Sequence, residues 1–198
     1  MSCVFAGDLD CVKKVLDAGG NVNERDEQSG TTPLMMACSW QGYEDMVELL
    51  LSYGADPNLQ STMDSATALM AAAGVSQKNV DLLLKHNANP AIKSSDGTTA
   101  FTRCITGILS GSVTTDLAIL FLEKGANVDE APDSGSAEGY TPLMMAARNQ
   151  ATELVRFLVK HGADVNARAK DGSTPLSLAE QENDASMVAL LKELGANK

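Results

Sequence analysis

Four cysteines and two histidines are the residues of this chain with the widest reach in covalent or metal chemistry. Cys3, Cys11, Cys38 and Cys104 lack the close pairing that metal and redox motifs use. Buried free thiols are expected at Cys38 and Cys104, and a reactive thiol is an option mainly for Cys3, near a loose end. His86 and His161 each precede a glycine-type turn, in Lys85-His86-Asn87 and Lys160-His161-Gly162. They repeat one structural position, where a cation suits the end of a helix, and neither points to catalysis or metal binding. Ser and Thr are abundant, yet no nucleophile–base–acid set and no Gly-rich phosphate loop can be assembled. The residues therefore predict no catalytic group, no metal site and no cofactor, which leaves binding.

The elements that would carry a binding surface repeat along the chain. Thr32-Pro33-Leu34-Met35 recurs as Thr141-Pro142-Leu143-Met144, with Thr174-Pro175-Leu176 as a third copy. A turn signal follows each, and the full set starts at Gly19, Gly54, Asn87, Gly125, Gly162 and Gly195, spaced by 35, 33, 38, 37 and 33 residues. Thr before Pro predicts a capped helix start, and Gly after the second helix predicts a left-handed cap, with Asn87 as the tolerated substitute. The second helices, such as Met46-Val47-Glu48-Leu49-Leu50-Leu51, are apolar over faces too wide for an isolated pair and need neighbours on both sides.

A unit of about 33 residues with a Thr-Pro-Leu opening and two helices resembles the ankyrin repeat. The resemblance spans the chain and predicts an all-α solenoid with β-hairpin-like fingers, as one array over 1–198. Its repeats fall near 1–25 (partial), 26–60, 61–93, 94–131, 132–168 and 169–198. Thr67-Ala68 and Thr99-Ala100 replace Thr-Pro in two of them, which predicts helices with a less sharply fixed start. The slot that usually holds His after Thr-Pro-Leu holds Met35, Met70, Thr102, Met144 and Ser177, so apolar stacking is expected to outweigh polar ties.

The resemblance further implies binding of a protein or extended peptide on a concave face made by fingers and first helices. Carried onto this chain, that face includes Gln28, Thr31, Ser39, Trp40, Met63, Asp64, Asp96, Tyr140, Arg148 and Asn149. Trp40, the only tryptophan, is the sharpest of these, with Tyr140 and Arg148 as further anchors, because aromatic and Arg residues dominate hot spots. The competing reading of Trp40 is that it folds over the helix–helix turn beside Gln41.

Composition narrows the partner. A formal net charge of -11 disfavours nucleic acid, which needs clustered Lys and Arg, and is compatible with a basic protein surface or simply with keeping an elongated array in solution. With no long apolar run and no signal-peptide pattern, the expectation is a monomeric, cytoplasmic chain, with the nucleus also compatible. A regulatory or targeting part of a larger protein, an enzyme included, is the alternative. The segment 129–139 carries four acids and a Pro and is expected to project as a loop. The first helix, around Ser2–Ala6, is short, which exposes Val4 and Phe5, whereas Gln181 to Asp184, Lys192, Glu193 and Lys198 give the other end a polar face.

Overall fold

In the computed structural model, which describes residues 1–135 and 138–197, threonine starts the first helix of five repeats. Thr32, Thr67, Thr99, Thr141 and Thr174 are extended, and each hydroxyl accepts from the backbone N–H three residues on. That bond satisfies one of the donors a helix start leaves open. Ala68 and Ala100 keep the cap that Pro33, Pro142 and Pro175 keep elsewhere. The two variant repeats thus keep the threonine cap without the proline.

Twelve helices follow among the described residues, with no strand. They are α1 (Ser2–Phe5), α2 (Leu9–Asp17), α3 (Pro33–Cys38), α4 (Glu44–Ser52), α5 (Ala68–Ala73) and α6 (Gln77–Lys85). Then come α7 (Ala100–Leu109), α8 (Thr115–Glu123), α9 (Pro142–Arg148), α10 (Thr152–Lys160), α11 (Pro175–Gln181) and α12 (Ala185–Glu193). The fingers are hairpin-like turns closed by backbone bonds such as Asp26 N–H to Thr31 O and Ser61 N–H to Ala66 O, both 2.9 Å.

The chain divides into two compact units, residues 1–95 with 99–117, and 96–98 with the chain from 118 onward. In the first, α1, α3, α5 and α7 lie side by side, and α2, α4 and α6 form a layer behind them. A β-carbon on Gly107 would lie 2.8 Å from the Gly74 Cα, so α7 and the end of α5 meet backbone to backbone. Helix α7 has ten residues against six in α3 and α5, where the long fourth repeat spends its extra length. In the second unit α9 packs on α11, with α10 against α9 and α12 against α11. Met144, Ala169 and Leu178 form a core there, with Tyr140 and Ala167 against it.

One expectation is refined and two are corrected. Polar ties between repeats persist, moved to the turn after the second helix. Asn23 Oδ1 accepts from Asp56 N at 2.9 Å, Asn58 Oδ1 from Asn89 N at 2.7 Å, and Asn166 Oδ1 from Asn197 N at 2.8 Å. Meanwhile Thr102 and Ser177 turn their hydroxyls back to accept from their own cap residues, Thr99 N and Thr174 N, both at 2.9 Å. Second, Cys3 and Cys11 are joined in a disulfide with Cα atoms 5.7 Å apart, because the tight turn before α2 folds α1 and α2 together. Cys38 and Cys104 are free and buried, and burial pushes the Cys104 thiol up to about 12 and Cys38 further still. Third, Val4 is buried while Phe5 is exposed.

The described parts of segment 129–139 are tied down within their unit: Asp133 N donates to Asp96 O at 2.7 Å, Gly139 N to Pro132 O at 2.8 Å, and Glu138 pairs with Lys170. Ser136 and Ala137 of that loop, and Lys198 of the polar end, lie outside the described residues.

Candidate functional site

Small residues where α5 and α7 meet, Ala71, Gly74 and Gly107, leave a channel across the first helices of the first unit. This groove, of about 550 Å³, has Met35, Met70, Ala71, Gly74, Val75 and Gly107 as its apolar floor. Its rim is polar, with Thr31, Ser61 and Asp64 on the finger side and Ser39, Thr106 and Ser110 at the helix ends. Helix α7 adds the Arg103 guanidinium, exposed to solvent.

The rim is pre-organised by its own bonds. Ser61 Oγ donates to Asp64 Oδ1, and Ala66 N donates to the same oxygen at 3.0 Å. The Ser61 hydroxyl first, then the Ala66 N–H and the Arg103 charge, hold the Asp64 carboxyl below the usual carboxylate range, since each favours the ionised form. Ser39 Oγ donates to Met35 O at 3.0 Å, which leaves the oxygen able to accept. An acid and a guanidinium thus face a common apolar floor, an arrangement that suits an extended chain with alternating polar and small apolar contacts.

Of the residues singled out from sequence, Thr31, Ser39 and Asp64 line this groove. Trp40 stands just past its helix-end rim, half exposed, with Phe5 edge-on at 6.4 Å between ring centroids and Tyr43 tilted at 6.5 Å. Gln28 and Met63 occupy fingertip turns, with Met63 72% exposed. The others belong to the second unit. Asp96 Oδ1 accepts from Thr98 N at 3.0 Å. Tyr140 donates to Asp171 Oδ2 at 3.0 Å and lies half buried against the core of that unit. Asn149 Nδ2 donates to Met145 O at 2.8 Å, and Arg148 lies 3.7 Å from Glu182 at the surface, a pair worth little in water.

His161 behaves as a helix-end residue, its Nδ1 2.8 Å from Phe157 O and its ring 4.3 Å from that of Phe157. Among the described residues no group of three or more His, Cys, Asp or Glu is placed to hold a metal, and no helix is long and apolar enough to cross a membrane.

Arg103 is among the groove residues that sequence reading missed, with Ser61, Ala71, Thr106 and Gly107. Counted from the cap threonine, its place is filled by Met36, Ala71, Met145 and Leu178 in other repeats. One cation in a column of apolar residues was the available signal.

The family described as Ankyrin repeats (3 copies) matches residues 1–61, 39–131 and 108–198. Among curated proteins, the chain is 35% identical over 159 residues to the Ankyrin repeat and KH domain-containing protein mask-1 of Caenorhabditis elegans, covering 78% of this chain and 6% of that one. It is 33% identical over 176 residues to Rabankyrin-5 of Mus musculus, covering 87% and 14%. It is 28% identical over 203 residues to the E3 ubiquitin-protein ligase KEG of Arabidopsis thaliana, covering 97% and 12%. The chain thus spans a small fraction of the length of each relative.

Proposed function

This chain belongs to the ankyrin repeat family, and from that premise we propose that it is a non-catalytic recognition module. It holds an extended segment of a partner protein in the groove across α3, α5 and α7. The observation that carries this reading is the groove itself, an apolar floor flanked by Asp64 and Arg103. The repeats bury their second helices in stacking, so little but the first-helix side is left for recognition. A rigid stack also loses little conformational freedom on binding.

Within this proposal the module serves as the targeting part of a larger protein. Its relatives are long, and one of them is by name an E3 ubiquitin-protein ligase of which the match covers 12%. By analogy, repeats of this kind choose what a separate part acts on, and here they act as scaffold or adaptor.

Selection of displayed random dodecapeptides on the full chain tests the reading. Enriched peptides should lose at least about 2 kcal/mol of affinity on Ala71→Glu, which puts a charge on the floor of the groove, and a smaller amount on Arg103→Ala. Lys85→Ala, on the exposed end of α6, should change nothing. Peptides that bind all three variants equally would place recognition elsewhere.

A further inference from the structure

Beyond the groove's rim lies an exposed aromatic cluster that the groove does not use. Phe5 is 68% exposed and Trp40 50% exposed, although their rings touch edge to face. Tyr43 completes the set, its hydroxyl donating to Phe5 O at 3.2 Å. That bond fastens the end of α1 to the start of α4 and fixes the three rings as one platform. A β-carbon on Gly7 would lie 3.1 Å from the Tyr43 oxygen, so the turn Phe5–Asp8 is moulded to that ring. Such a platform is apolar in area and carries negative π-faces.

The chain on either side of these residues is acidic. Glu44 and Asp45 follow Tyr43 directly, and Asp8 follows Gly7. Between Arg25 and Lys78 the chain has seven carboxylates and no basic residue, and none occurs before Lys13. Glu44 is held in place by Ser76, whose Oγ donates to its Oε1 at 3.3 Å. An aromatic face set in an acidic stretch of chain attracts a cation, and a planar guanidinium suits it best, stacking on the ring while keeping its charge.

We infer that the Phe5–Trp40–Tyr43 platform receives an arginine side chain of the partner, continuing the groove past Ser39. This rests on the groove reading and specifies the partner as a basic segment with an arginine positioned beyond the part lying on Met35 and Met70. Citrulline, the same shape without the charge, is disfavoured by this account, and lysine binds less well because its ammonium cannot stack.

Trp40 is the chain's single tryptophan and therefore reports directly. The probes are capped decapeptides of alternating Gly and Arg, with Lys and citrulline versions, titrated into the full chain by tryptophan fluorescence and calorimetry. The Arg peptide should change Trp40 emission saturably, and replacing Arg with citrulline should weaken binding about three- to thirty-fold. Trp40→Leu and Phe5→Ala should weaken it within the same range by calorimetry, whereas Trp40→Phe retains most of it. Far-UV circular dichroism of each variant confirms the fold, and the Trp40→Phe ring makes misfolding separable from loss of the platform. Equal binding of Arg and citrulline peptides, or unchanged binding by Trp40→Leu, overturns the inference. If Ala71→Glu abolishes binding in that case, the groove reading stands without the platform. If no Arg peptide binds, the platform falls and the groove is judged by its own selection.

Discussion

Asn79 on α6 is fully buried, and neither its Nδ2 nor its Oδ1 has a hydrogen-bond partner. Counted from the turn after the second helix, other repeats fill its slot with Met46, Leu117, Leu154 and Met187, all buried. Asn79→Leu exchanges the amide for a side chain of similar shape and restores the pattern. An unpaired buried polar group costs about 1–3 kcal/mol. Burying the leucine adds about 1 kcal/mol, and imperfect fit removes a comparable amount. The net gain should be about 2 kcal/mol, or roughly 4–8 °C for a cooperative unit of this size. Because repeat arrays unfold by local units, the assay pairs urea melts followed by circular dichroism with hydrogen exchange resolved to α6. Both should report stabilisation, and slower exchange should concentrate in α4 and α6, which pack together. Asn79→Asp should destabilise strongly at neutral pH and less in acid, where the carboxyl is uncharged. An Asn79→Leu protein less stable than the parent would mean that the amide is paired after all, and would refute the reasoning.

Ser65 holds a φ of 57° at a fingertip where Gly30, Gly97 and Gly172 are used in other fingers. Ser65→Gly should therefore raise stability by about 0.5–1 kcal/mol in urea melts. Asp129 stands in the clamp slot filled by Asn23, Asn58 and Asn166 elsewhere, and accepts from Asp164 N at 3.1 Å. Burial first, with the Asp164 charge adding to it, raises its carboxyl above the usual range against the pull of the Asp164 N–H. A raised acid stabilises the fold fully below its unfolded pKa and loses that contribution as pH rises through the folded value. Asp129→Asn should thus stabilise at neutral pH by a few tenths of a kcal/mol, discounted for exposure, with the difference vanishing in strong acid. The opposite sign holds for Asp26, Asp64, Asp171 and Asp184, whose carboxyls lie below the usual range through nearby N–H and hydroxyl donors. Their contribution is complete above the unfolded carboxylate range and is lost as pH falls through their lower folded values. Urea midpoints should accordingly hold from neutral pH to about 5 and drop below about 4.

The repeat was legible because its signals are local. A threonine that caps its own helix and a glycine or asparagine that ends the next one act within a few residues, so spacing alone locates both. Asn87, with φ 64°, does what a glycine does in that place. The Cys3–Cys11 bond was not legible, because it depends on how sharply α1 turns into α2. Asn79 and Arg103 became informative only once each residue was compared with its counterparts in other repeats. Tyr140 reads as an anchor by residue type, yet its hydroxyl and ring are already engaged by Asp171 and the neighbouring core. Residue type does not reveal that commitment. The groove required the meeting of three helices, with Gly74 against Gly107 drawing two of them together.

Hydrogen exchange of the full chain with and without a selected peptide tests the central claim most directly. Protection is expected at the finger around Ser61–Ala66 and at the helix-end turns after α3 and α7, with α2, α4 and α6 unchanged. Protection confined to the second-helix layer, with those turns unaffected, would contradict it.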